Sequence, residues 1–208
     1  MLVVGLTGGV ASGKSLVSRI FKEEGAYLID ADQIARELVQ PQTPAWKELI
    51  ILFGKGILQE DESIHRKKLA ARIFSDPIQQ EALNRILHPR IKEEIDRCLK
   101  EVGGRDPEAI VVIDAALLIE TGNHREMDQV VVVTSSEAQQ IERLRARDGL
   151  APEEARRIVA SQMGTEEKIK GADFVLKNEG SLEETERRAK GIFQELKKIA
   201  LFKKDASR

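Results

Sequence analysis

Gly8-Gly9-Val10-Ala11-Ser12-Gly13-Lys14-Ser15 restricts this chain more than any other feature of it. The run matches G-x-x-x-x-G-K-[ST] in full, follows the apolar stretch Leu2–Leu6 and opens a helical pattern. Glycines let backbone N–H groups turn inward and approach phosphate oxygens closely. The positive end of the following helix adds to that attraction. Lys14 should reach the β- and γ-phosphates of a nucleotide, and the Ser15 hydroxyl should ligate Mg²⁺. Four specified positions give an accidental match in a chain this long odds of roughly one per cent. Residues Gly8 to Ser15, with Leu16 behind them, are therefore expected to hold ATP.

Five short apolar runs read as buried parallel strands: Leu2–Leu6, Ala26–Ile29, Ile110–Ile113, Gln129–Val133 and Asp173–Leu176. Their continuous β-branched character suits a sheet covered on both faces, and helical patterns between them predict a doubly wound α/β fold. One helix, Lys14 to about Glu24, joins the first two strands, with Gly25 where a C-terminal cap belongs. Some eighty residues separate the second strand from the third, far more than a crossover requires. That stretch is helical. Thr43-Pro44 opens a helix bearing Trp46, Leu49, Ile50 and Phe53; Leu69, Ile73 and Phe74 mark a second. Leu83, Ile86 and Leu87 mark a third, and Ile91 and Ile95 a fourth that begins after His88-Pro89.

A second insertion spans Ser135 to about Gly171. Its first helix carries Arg143, Arg145 and Arg147, and Pro152 starts another with Arg156, Arg157 and Gln162. Ser181 with Glu184 predicts a capping box for the last helix. The expected organisation is a core of 1–32, 107–134 and 172–208, a helical domain of 33–106 and an arginine-bearing segment of 135–171.

Charge and cysteine narrow the function. Lys and Arg number 33 against 35 Asp and Glu, a net charge of −2, which argues against a dedicated nucleic-acid binder. Cys98, the only cysteine, falls in a helical pattern and reads as a buried small hydrophobe, in a reducing compartment. The apolar start has no charged n-region and runs straight into the glycine turn. No apolar run approaches the ~20 residues of a membrane span, so a cytoplasmic protein is expected.

In an open parallel sheet, ligands bind beyond the carboxyl ends of the strands. Thr7 and the phosphate loop follow the first strand, Asp30 and Asp32 the second, Asp114 and then Glu120 the third, and Asn178 the fifth. Phosphoryl transfer to an alcohol needs cationic charge and a carboxylate to orient the hydroxyl and take its proton. Asp32 is the candidate; Asp30 divides evenly between that site and a helix cap. Asp114 ends its strand as a Mg²⁺ ligand or support would. Arg143 and Arg147 share a helix face and are read as phosphate contacts. His65 and His124 carry no signal, and no cluster has zinc-ligand spacing.

In series, these residues resemble the dephospho-CoA kinase family over nearly the whole chain. The resemblance rests on Gly5-Leu6-Thr7-Gly8-Gly9 leading into Ser12-Gly13-Lys14-Ser15, on Asp30-Ala31-Asp32 before Ile34-Ala35-Arg36, and on His88-Pro89. It continues with Asp114 before Leu117-Leu118 and Glu120, Arg143 to Arg147, Arg157 with Gln162, and Asn178-Glu179-Gly180. It implies a P-loop NTPase core with a helical substrate domain and a helical lid, moving the γ-phosphate of ATP to the ribose 3′-hydroxyl of dephospho-CoA. Asp32 would be the general base and Arg143 a lid contact to phosphate. Asn178 would lie near the adenine, while Thr7, His88, Leu117 and Arg157 would face the acceptor, and a monomer is expected. Three departures stand out: Ala11 replaces a usual glycine, Ala116 a proline and Ile119 a phenylalanine. The alternatives are another P-loop kinase for a nucleoside, nucleotide or shikimate-like alcohol, and a GTP-binding switch. The switch is disfavoured because Lys177-Asn178-Glu179-Gly180 stands where an Asn-Lys-x-Asp guanine reader would be.

Overall fold

The computed structural model describes residues 1–74 and 76–206, with the backbone alone at 74, 205 and 206. The Phe74 side chain, expected in an apolar stripe, lies outside the described atoms. The chain forms two compact units, residues 1–29 with 101–208, and residues 30–100.

The first unit is built on a five-stranded parallel sheet, in the order β2-β3-β1-β4-β5. The strands are β1 (Leu2–Gly8), β2 (Tyr27–Asp30), β3 (Ile110–Asp114), β4 (Gln129–Thr134) and β5 (Phe174–Lys177). All five lie within two residues of the runs expected from sequence. β1 pairs with β3 from Leu2↔Ile110 to Leu6↔Asp114, and with β4 from Val4↔Gln129 to Gly8↔Val133. The chain moves outward from β1 to β2, returns to β3, and crosses to β4 on the other side. The carboxyl end of β1 is thus the point where strand order reverses, the place such sheets bind ligands. Val4, Leu6, Val112, Val131 and Val133 are wholly buried, against Val17, Ile20 and Phe21 of α1 (Lys14–Glu23) and Phe193 and Leu196 of α9 (Leu182–Ala206).

Local chemistry sets the helix ends. Gly25 has φ +105°; its N–H reaches the Lys22 carbonyl, and the Ala26 N–H the Phe21 carbonyl. That paired arrangement closes α1 with a residue only glycine accepts easily. The Ser181 N–H donates to Glu184 Oε2 at 3.1 Å, and the Glu184 N–H to Ser181 Oγ at 3.2 Å, the reciprocal bonds of a capping box. Between β4 and β5 lie α6 (Glu137–Asp148), α7 (Pro152–Ala160) and the short α8 (Thr165–Ile169).

In the second unit, α2 (Ala31–Leu38) is followed by α3 (Pro44–Phe53), α4 (Arg66–Phe74) and α5 (Pro77–Arg105), whose last residues belong to the first unit. Thr43 caps α3 with Pro44 in the first turn. Trp46, Leu49, Phe53, Ile57, Ile64 and Leu83 form the core, and the Trp46 indole N–H donates to the Glu62 carbonyl at 2.8 Å.

Two expectations need correction here. The chain does not break at His88-Pro89: α5 is one helix of 29 residues running through Pro89. Proline removes a helical N–H and crowds the turn before it. Beside the proline, Arg90 donates from Nη1 to the Ile86 carbonyl at 2.6 Å and from Nη2 to Glu48 at 2.6 Å, which ties this turn of α5 to α3. Cys98 is half-buried and not a core residue, because α5 presents a shallow apolar face on which only Leu83 is fully buried among the described residues.

Candidate active site

The phosphate loop leaves β1 at Gly8 and enters α1 at Lys14. Gly13, at φ +94°, precedes the helix; a Cβ there would stand 2.0 Å from the Asn178 amide nitrogen. Left-handed backbone and the close neighbour both require glycine. Ala11 also takes a left-handed conformation, φ +56°, without glycine's freedom. The alanine leaves the turn's conformation in place and loads it with steric strain.

Three side chains from distant segments hold the loop. Arg143 of α6 donates from Nη1 to the Ala11 carbonyl at 3.2 Å and the Ser12 carbonyl at 3.4 Å, and from Nη2 to the Asn178 carbonyl at 3.1 Å. Asn178, just beyond β5, donates from Nδ2 to the Ser12 carbonyl at 2.8 Å while its Oδ1 accepts from Thr185 Oγ1 at 2.8 Å. Gln162, past the end of α7, accepts the Val10 N–H on Oε1 at 2.6 Å. Donors take the carbonyls and an acceptor takes one amide on the side of the loop, so side chains of three distant segments fix its backbone. The Ser12 hydroxyl is buried and has no partner among the described residues.

Asp114, 6% exposed, ends β3 next to the loop. Lys14 Nζ donates to its Oδ1 and Ser18 Oγ to its Oδ2. The conserved geometry of a helix places Lys14 and Ser18 on one face, four residues apart, so a single turn of α1 meets both carboxylate oxygens. Ser15 is exposed. Thr7 is buried and donates from Oγ1 to the Ala116 carbonyl at 3.1 Å, and Leu117 is half exposed.

The remaining expected residues are placed apart from this cluster or in the other unit. Arg147, one turn beyond Arg143, is exposed and forks onto Asp148 at 2.8 and 2.7 Å. The Asp148 hydrogen bonds raise its pKa above the ordinary arginine value. Arg157 is exposed on α7. Asp30 accepts the Gln33 N–H at 2.8 Å and caps α2, which settles its even reading in favour of the cap. Asp32 does not sit in a loop before a helix at Gln33, as expected, but within the first turn of α2, half-buried, because Asp30 starts the helix two residues earlier. His88 is exposed on α5.

Sequence reading missed Lys168. Its side chain is 1% exposed on α8 and pairs with Glu120 at 2.5 Å. Nothing in Thr165-Glu166-Glu167-Lys168-Ile169-Lys170 separates it from a solvated charge run. The bond from Val10 to Gln162 was equally hidden, since it joins residues 152 positions apart.

The dephospho-CoA kinase family model matches residues 2–184. The chain belongs to the dephospho-CoA kinase family. A dephospho-CoA kinase of Geobacter sulfurreducens is 45% identical over 193 residues, covering 93% of this chain and 98% of that protein. One from Syntrophus aciditrophicus is 41% identical over 208 residues, covering 100% of this chain and 88% of its own. A crystal structure of a Thermus thermophilus protein superposes with a TM-score of 0.78 at 32% identity, over 94% of this chain and 97% of that one. A dephospho-CoA kinase is an ATP-dependent phosphotransferase, and the chain is an enzyme of that class. In this structure Lys14 lies at the start of α1 on Asp114, and Arg143 lies on the carbonyls of the loop.

Proposed function

We propose that this chain transfers the γ-phosphoryl group of ATP to the ribose 3′-hydroxyl of dephospho-CoA, giving coenzyme A and ADP. The observation that carries the reading is the phosphate loop held by Arg143, Asn178 and Gln162 in a chain matched over residues 2–184 by that family.

The roles follow from the chemistry. Backbone N–H groups of the loop and α1 bind the phosphates. Lys14, drawn from Asp114 by the stronger field of a triphosphate, neutralises charge building on the β- and γ-oxygens, and Arg143 adds a second cation beside the loop. Asp32 orients the acceptor hydroxyl and takes its proton. The ribose oxygen forms its bond to the γ-phosphorus as the bridging P–O bond breaks, and ADP departs with that electron pair. By the likeness to the family, and not from the geometry, Thr7, His88, Leu117 and Arg157 serve the acceptor, and Arg147 and Asn178 the nucleotide. By the same likeness, residues 33–106 are the substrate domain and 135–171 the lid.

Mg²⁺ fits the donors present. Ser15, next to Lys14, offers an exposed hydroxyl, and Asp114 a carboxylate that Lys14 and Ser18 hold beside the start of α1. Among the described residues no cluster of three or more His, Cys, Asp or Glu could cage a metal. Mg²⁺ commonly keeps several waters and leans on substrate phosphates, with one or two protein ligands. When bound, Mg²⁺ draws charge from the phosphate oxygens. No helix among the described residues is long and apolar enough to cross a membrane; a cytoplasmic monomer is the state proposed.

The test is incubation with Mg²⁺-ATP and dephospho-CoA, with coenzyme A followed by mass spectrometry and ADP release measured beside it. A panel of nucleosides, nucleotides and shikimate runs in parallel. Conversion to coenzyme A with little turnover of the panel supports the reading; ADP release only with another acceptor overturns it.

A further inference from the structure

The loop after β3 is anchored at both ends by a lysine–carboxylate pair. At its start Asp114 receives Lys14 Nζ; at its end Glu120 Oε1 receives Lys168 Nζ at 2.5 Å. The hydrogen bonds of the second pair go to the loop after β3 and not to the phosphate loop, yet its cation is among the most buried side chains described. Taking a lysine out of water is unfavourable unless its charge and donors are used. Lys168 uses a second donor on the Ala116 carbonyl at 3.3 Å, the same oxygen that accepts from Thr7 Oγ1 at 3.1 Å. Thr7 is adjacent to Gly8, where the phosphate loop begins. The peptide between Ala116 and Leu117 is therefore fixed from two sides, by the end of β1 and by α8. Leu117, 50% exposed, is the side chain that this fixed peptide presents. Glu120 Oε2 is buried and has no partner among the described residues, so the carboxylate is held by its lysine and not by a surrounding network.

We propose that Lys168 is a positioning residue for the acceptor: through Glu120 and the Ala116 carbonyl it sets the loop 115–119 on which Leu117 meets the substrate. The proposal rests on the functional reading above, which gives Leu117 to the acceptor side.

The experiment compares Lys168→Met, Glu120→Gln and the double variant, with separate KM values for ATP and dephospho-CoA and a thermal melt of each. Losing a charged hydrogen bond corresponds to about 10- to 100-fold, so K168M is expected to raise the acceptor KM by at least ~10-fold while the ATP KM stays within ~2-fold. Each single change leaves a lone buried charge and lowers the melting temperature; the double change removes both charges and recovers most of it. The Ala116 carbonyl still lacks its cation in the double variant, so the acceptor KM stays raised there. That separation of stability from KM is what a merely structural pair would not give. If the acceptor KM returns to the wild-type value with the melting temperature, or if both KM values rise together, the proposal is overturned. Should K168M fail to fold, the double variant decides. A wild-type enzyme that phosphorylates a different acceptor overturns the functional reading alone, and the same KM comparison is then made with that acceptor. One that turns over no acceptor overturns both.

Discussion

The Lys14 ammonium donates to the Asp114 carboxylate, joining the first turn of α1 to the end of the strand beside the phosphate loop. Strand and helix are 100 residues apart in sequence, and the sheet register Leu6↔Asp114 is what brings them together. Replacing Lys14 by Ala removes the cation proposed above for the β- and γ-phosphates. Loss of one preorganised charge-stabilising donor lowers kcat by about 10²–10³-fold. Steady-state turnover checks this, and wild-type activity in the variant would contradict the assignment.

Asp32 lies in the first turn of α2, while Asp30 is occupied by the Gln33 N–H. The two acids are therefore separable by mutation. Asp32→Asn should leave ATP binding intact and lower turnover by about 10²–10⁴-fold, the worth of a positioned general base. Asp30→Asn keeps a capping side chain and should retain most activity. Equilibrium ATP binding and turnover, measured on both variants, decide; near-normal turnover of Asp32→Asn removes it from the chemistry.

Ala11 carries φ +56°. A left-handed alanine is strained by roughly 1–2 kcal/mol, whereas glycine there loses about 0.4–1 kcal/mol through its freer unfolded chain. Ala11→Gly should therefore raise stability, by between about 0 and 1.6 kcal/mol from those opposing terms. Urea unfolding measures it. A clear loss of stability would mean that the alanine methyl makes a contact worth more than the strain.

Three carboxylates in the helical unit have lowered pKa values. Asp61 is held down chiefly by the Ser63 hydroxyl, Asp76 by the Gln79 amide and Glu94 by the Arg97 guanidinium. Each binds its proton less tightly folded than unfolded, so the unfolded chain takes up more protons as the medium acidifies. Their stabilisation is complete above the ordinary values of 3.8 for the aspartates and 4.5 for the glutamate, and is lost as pH falls through the lowered ones. Urea midpoints should hold from pH 7 to about pH 5 and fall below that. In Asp76→Asn the acid loss should be smaller, and an unchanged pH profile would remove Asp76 from the effect.

What the sequence disclosed was local. The phosphate loop, the cap at Thr43, the capping box of Ser181 and Glu184 and the stop at Gly25 are each written within a few residues, where backbone geometry dictates residue type. The five strands were legible because burial on both faces leaves unbroken apolar runs. Pro89 misled because proline usually ends a helix, whereas here the turn beside it is tied to α3 by Arg90 reaching Glu48, 42 positions away. Lys168 was invisible because its burial comes from Glu120 and Ala116, about fifty positions away. Arg143 was read as a cation for phosphate, but its grip on the loop carbonyls emerges only from the fold, which brings α6 to the residues after β5.

Gln162 gives the most direct test of how that grip matters. Its Oε1 takes the Val10 N–H, and no other side chain offers an acceptor to the loop's amides among the described contacts. Gln162→Leu keeps the volume and removes the acceptor, leaving a loop amide to find water. A lost hydrogen bond of about 0.5–1.5 kcal/mol should appear as a roughly 2- to 10-fold rise in the KM for ATP. Because Gln162 stabilises the loop before nucleotide arrives and touches no transferring group, kcat should fall far less than in Lys14→Ala. A reversed split, with kcat falling and the ATP KM unchanged, would mean that this residue acts on the transition state and not on the resting loop.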